Sequence, residues 1–137
     1  MRTSVCGGKL RRSTFWRPTM LEMISITNYE FGEIVLVNFP QSGLAKKKRR
    51  PALVILDIGN ADIVLAPVTT RERIVPGDCK LRDWQNSGLL RESWVRLSKI
   101  TCLEKIDIAR RLGRLTDDDR NKIIREWRSL YVFPTGM

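Results

Sequence analysis

Three short apolar runs, each closed by turn residues, decide what this chain can become. GEIVLVNFP, from Gly32 to Pro40, sets Ile34, Leu36 and Asn38 on one side of an extended backbone and Val35, Val37 and Phe39 on the other. A run this short and apolar on both sides predicts a strand covered on both faces. PALVIL (Pro51 to Leu56) and DIVLAPV (Asp62 to Val68) follow, joined by Asp57-Ile58-Gly59-Asn60, and predict a hairpin. Thr69 to Gly88 reads as a loop-rich surface with a Pro76-Gly77 turn and one short strand near Cys79 to Arg82. SWVRLSKITCL, Ser93 to Leu103, alternates Val95 and Leu97 against Trp94, Arg96 and Ser98, and predicts one further strand.

One convincing helix closes the chain, from about Asp117 to Tyr131. Thr116 is its N-cap, three aspartates suit the dipole of the first turn, and Asp119 stands at the capping-box position. Ile123, Ile124, Trp127, Leu130 and Tyr131 form an apolar stripe at helical spacing, the mark of a lid on a small β-barrel or of a dimer face. The expectation is a mainly β protein with a C-terminal helix.

A chain of 137 residues fits one domain and a tail. Residues 1–28 are expected to be a disordered basic extension, with Met20 and Met23 close to the first regular pattern, and residues 29–133 the folded domain. The formal charge of +10 lies in two places: five cations without an acid in residues 1–20, and Lys46, Lys47, Lys48, Arg49 and Arg50. A domain otherwise neutral, with its excess in one tail and one loop, points to a phosphate-bearing partner, although a solvated loop has the same composition.

Cys6, Cys79 and Cys102 are odd in number and widely spaced, and the chain has no histidine, so zinc and disulfide frameworks are not expected. Cys79 and Cys102 read as buried structural thiols. No apolar run approaches the roughly 18 residues of a membrane span, and the first residues lack a signal-peptide core, so a cytoplasmic protein is expected.

Proline donates no N–H and suits a strand's first residue, so Pro51 should fix Arg50 at a strand mouth. With the hairpin centred between Gly59 and Asn60 and no bulge, Arg50 faces Thr69, bringing a guanidinium fork and a short hydroxyl to one sheet end. That pair can clamp a phosphate or simply be solvated. Trp94 can stack an unpaired base or pack against a loop, and Trp84 has the same two readings.

GEIVLVNFP, the polar loop after it, RRPALVIL, IVLAPVTT and SWVRLSKI together resemble the MazF/PemK family of toxin endoribonucleases from bacterial toxin–antitoxin pairs, over roughly Phe31 to Tyr131. The resemblance implies a small SH3-like β-barrel with a C-terminal helix, a homodimer, and cleavage of single-stranded RNA at short sequence motifs without a metal or other cofactor. It also implies a cognate acidic antitoxin that occupies the same groove. The family's arginine before its proline matches Arg50 and its threonine after the third strand matches Thr69, with Thr70 beside it. Arg96 matches a further family arginine, but the acid two residues on is replaced by Ser98, which leaves the general base unassigned. On this reading Arg50 stabilises the pentavalent phosphate and Thr69 orients it. Lys46, Lys47, Lys48 and Arg49 track the RNA backbone. Arg96 neutralises a second phosphate or, as is commoner for an arginine on a strand's outer face, is simply solvated; Ser98 is at most a positioning group, and Trp94 stacks a base. The alternatives are a non-catalytic CcdB-like gyrase-binding toxin on the same barrel, or a decayed RNA-binding module.

Overall fold

A computed structural model describes residues 28–40 and 47–132. The strands are β1 (Glu33–Pro40), β2 (Lys47–Leu56), β3 (Asp62–Thr69), β4 (Asp78–Lys80), β5 (Trp94–Arg96), β6 (Thr101–Glu104) and β7 (Ile108–Arg114), followed by helix α1 (Asp117–Leu130). All pairings are antiparallel, in the order β4-β5-β3-β2-β1-β7, with β6 on the remaining stretch of β3. No pairing among the described residues joins β7 back to β4 or β6, so the expected barrel is open in its hydrogen bonding.

The central strands are apolar on both sides because both sides are covered. Ile34, Leu53, Ala66 and Val68 share one core with Cys79, Leu81, Val95, Leu97 and Ile123 of α1. Val35, Val37, Ala52, Val54, Ile63 and Leu65 form the other, overlaid by Tyr29, Phe39, Leu103 and Ile108. A one-residue slip in β1–β3 would exchange the two sets, which fixes the register.

That register matches the hairpin arithmetic where it matters for a site. Ala52↔Pro67, Leu53↔Ala66 and Val54↔Leu65 all follow it, and only nearer the turn does a bulge shift the pairing to Leu56↔Val64. The condition of no bulge is not met there, yet the pairs nearer the sheet end keep the register that it gives. A second correction concerns the start of β2. The strand runs back through the basic tract to Lys47, pairing Val37↔Arg50, Asn38↔Arg49 and Phe39↔Lys48. Pro51 is thus internal, and Arg50 is held by a ladder on β1. The Val54 carbonyl faces β1, where it accepts from Gly32 N–H, so strand alternation turns the Pro51 nitrogen to the other edge, beyond the last β2–β3 pair.

Ser93 to Leu103 is not one strand. A 3-10 turn at Leu97–Lys99 breaks it, so that β5 pairs with Val68 and Thr69 at one end of β3, and β6 with Asp62 to Leu65 at the other. β7, which the sequence did not announce, pairs with β1 through two register shifts that erase its period of two. Arg111 on β7 is a clamp: Nε lies 2.8 Å from Glu33 Oε1, a terminal nitrogen donates to Asn28 O at 2.7 Å, and the guanidinium covers the Tyr29 ring. Cys79 is buried, and burial pushes its thiol pKa up, whereas Cys102 is exposed on β6, contrary to expectation.

Helix α1 starts where the sequence places it, with Thr116 Oγ1 accepting from Asp119 N–H at 3.4 Å. The buried Asp119 carboxylate does not complete a capping box. It accepts from Arg82 N–H at 2.9 Å and Asp83 N–H at 2.8 Å, fastening the helix to the turn after β4. At the far end, Tyr131 Oη donates to Leu97 O at 2.6 Å. Together these contacts fix the 3-10 break behind β5, and so the position of Arg96.

Candidate active site in a cationic groove

Even-numbered residues of β2 and odd-numbered residues of β3 face the core built on Val35 and Val37. Where that core opens at the sheet end, the same alternation delivers Arg50 and Lys48 from β2 and Thr69 from β3. The three line one groove of about 860 Å³, with Thr70, Arg71, Arg73, Ser93, Arg96 and Lys99 around it and Phe39, Pro51, Pro67 and Val68 at its base. Its size suits a ligand of several linked units. Among the described residues the lining carries six cations and no acid.

β2 and β3 part at this point. Their last pair is Ala52↔Pro67, and Thr69 pairs with Trp94 of β5 instead. Arg50 and Thr69 therefore face each other across an open cleft, aligned by the register without a ladder between them. Thr69 Oγ1 accepts from Arg71 N–H at 3.2 Å, which folds the chain after β3 and leaves the hydroxyl proton free for an acceptor in the groove. Arg50 is exposed and makes no ion pair among the described residues. A forked donor and a hydroxyl donor across a cation-lined cleft are suited to bind and polarise a phosphodiester.

Alternation divides the basic tract. Lys48 and Arg50 line the groove, whereas Arg49 points the other way and donates from Nε to Asn38 Oδ1 at 3.1 Å. Arg49 therefore does not share the groove face with Lys48 and Arg50, and the expected run of phosphate contacts is divided between two faces of the strand. Lys46 and the side chain of Lys47 lie outside the described residues, as do residues 1–27. Arg96 lines the groove. Ser98 does not, because the 3-10 turn lifts it out of the strand and sets it, exposed, against Gly77. Trp94 is 8% exposed, with Lys80 Nζ 5.7 Å from its ring centre, and borders a neighbouring hollow; its ring is not an open platform in the groove. Trp84 packs against the first core.

Arg71, Arg73 and Lys99 escaped the sequence reading. The signal was Arg71-Glu72-Arg73 directly after the two threonines: both arginines line the groove, while Glu72 borders the neighbouring hollow. No cluster of three or more Asp, Glu, Cys or His suited to a metal occurs among the described residues. No helix there is long and apolar enough to cross a membrane.

Fold and groove together define a small antiparallel β protein with a C-terminal helix and a cation-lined cleft at its sheet end. Residues 30–130 match the family model of PemK-like, MazF-like toxins of type II toxin–antitoxin systems, and the chain belongs to that family. Solved structures repeat the fold. The Mycobacterium tuberculosis toxin MazF-mt6 aligns at a TM-score of 0.58 and 19% identity, over 71% of this chain and 93% of its own. An endoribonuclease from a mycobacterial species, in complex with its cognate antitoxin, aligns at 0.61 and 21%, over 78% and 100%. MazF from Deinococcus radiodurans aligns at 0.56 and 23%, over 74% and 94%. No curated protein matches the chain significantly.

Proposed function

We propose that this toxin is an endoribonuclease that cleaves single-stranded RNA in the Arg50–Thr69 groove, with no metal in the chemistry. The observation that carries the reading is the convergence of Arg50 and Thr69 on one cleft lined, among the described residues, by six cations and no acid. A ribose 2′-oxygen attacks the adjacent phosphorus, the bond to the 5′-oxygen breaks, and the proton lost by the nucleophile is balanced by one gained by the leaving oxygen. The products are a 2′,3′-cyclic phosphate and a free 5′-hydroxyl. Arg50 stabilises the charge that builds on the phosphoryl oxygens, and Thr69 donates its free proton to one of them. Lys48, Arg71, Arg73 and Lys99 hold the flanking phosphates, which gives affinity without reading bases.

The mycobacterial endoribonuclease with its cognate antitoxin, and the MazE–MazF complex of Deinococcus radiodurans, support an antitoxin as the partner that silences this groove. An acidic segment fits six cations. The active species is a homodimer, as the family resemblance implies. Expression of the chain in growing cells, with mapping of the RNA ends that accumulate, tests the function. New 5′-hydroxyl ends recurring at one short motif, absent when Arg50 and Thr69 are both replaced, are the expected result. Growth arrest that persists in the doubly replaced protein with RNA intact would instead identify a toxin of the gyrase-binding kind.

A further inference from the structure

The groove's Arg96 is tied to an acid that lies outside it. Asp78, the first residue of β4, pairs across the strands with Arg96, and Asp78 Oδ1 lies 3.6 Å from Arg96 Nε. The Asp78 side chain is 1% exposed and that of Arg96 14%. Both Asp78 oxygens and Arg96 Nε are buried without a hydrogen bond. A buried carboxylate with neither oxygen bonded is a costly thing to keep, and its ion-pair partner among the described residues is a groove arginine.

The backbone sets Asp78 there. Val75-Pro76-Gly77-Asp78 is a turn closed by Asp78 N–H to Val75 O at 3.3 Å, with Gly77 in the left-handed region at φ 93°. Gly77 O accepts from Leu97 N–H at 2.8 Å, so the turn is fixed to the 3-10 break just after Arg96. An acid on the neighbouring strand therefore stands beside Arg96, where Ser98 supplies none. Contact through Nε leaves the two terminal nitrogens of Arg96 for a groove ligand.

We infer that Asp78 is a positioning residue: it holds the Arg96 guanidinium so that its terminal nitrogens engage an RNA phosphate in the groove. This rests on the endoribonuclease reading above. Charge alone argues the opposite way, since Asp78→Asn makes the protein more cationic and should tighten RNA binding. Positioning predicts that Asp78→Asn lowers kcat/KM about tenfold or more, as misplaced contacts do. It also predicts a slope of log(kcat/KM) against log salt shallower by about 0.7, one phosphate contact on a single strand, although no cation is removed. In an Arg96→Ala background, Asp78→Asn should cost nothing further.

The test uses the full chain on a short single-stranded RNA, with far-UV circular dichroism confirming that each variant is folded. If the parent does not cleave, the underlying reading fails. If the parent cleaves and Asp78→Asn stays within twofold of it with an unchanged salt slope, the inference fails. Losses from Asp78→Asn and Arg96→Ala that multiply would overturn it as well. Should Asp78→Asn not fold, Asp78→Glu and Asp78→Ser supply the same comparison, with Glu expected to retain more activity than Ser.

Discussion

Lys105 and Asp57 form an ion pair whose loss should unfold much of the protein's margin. Lys105 Nζ lies 2.8 Å from Asp57 Oδ1, and the side chains are 2% and 1% exposed. Asp57 also accepts from Tyr29 N–H at 2.7 Å and Gly59 N–H at 2.8 Å, tying the hairpin turn to the segment before β1. Asp57→Asn leaves a buried ammonium without its counter-charge, a loss of about 3–5 kcal/mol. For a domain of this size that corresponds to a melting temperature lower by roughly 12 °C or more. Asp57→Asn/Lys105→Met removes both charges and should recover to within about 1.5 kcal/mol of the parent. Burial by itself would raise the Asp57 pKa, but Lys105 and the two N–H groups outweigh it and hold the carboxyl below its ordinary range. Its stabilising contribution is therefore complete above the unfolded value of about 3.9 and is lost as the pH falls through the folded one. Urea unfolding followed by circular dichroism at pH 7, and again across the acid range, measures both effects. A single variant within about 1 kcal/mol of the parent, a double variant no better than the single, or parallel acid loss in parent and Asp57→Asn would refute the reasoning.

Two other outcomes follow from the strand and helix geometry. Lys48→Ala should weaken RNA binding and flatten its salt dependence by about 0.7 in slope, whereas Arg49→Ala, on the opposite strand face, should leave the slope unchanged; filter binding to a 2′-deoxy-blocked RNA distinguishes them. Asp119→Ala strips the acceptor from two backbone N–H groups and should cost about 2–4 kcal/mol in urea unfolding, whereas Asp118→Ala, exposed in the same turn, should cost under about 1 kcal/mol.

The hairpin and the final helix were legible in the sequence because each obeys a single period and is bounded by turn or cap residues. Arg50 and Thr69 could be placed together from that hairpin alone, since the bulge falls toward the turn and spares the sheet end. What stayed hidden broke the period. β7 carries two register shifts, and the strand of Trp94 turns at Leu97, which takes Ser98 off the groove face and leaves Asp78, on a different strand, beside Arg96. Partners distant in sequence, such as Lys105 with Asp57 or Asp119 with the Arg82 backbone, leave no local mark. The basic tract was conspicuous, but its division between two strand faces appears only once β2 is seen to extend through it.

The most direct test is an oligoribonucleotide carrying the mapped motif, incubated with the full chain in a metal chelator and analysed by mass spectrometry for its ends. The account predicts a 2′,3′-cyclic phosphate and a 5′-hydroxyl, no cleavage when the scissile ribose is 2′-deoxy, and a rate at least about a hundredfold lower for folded Arg50→Ala. Cleavage of the deoxy-substituted strand, or an Arg50→Ala rate equal to the parent's, would contradict it.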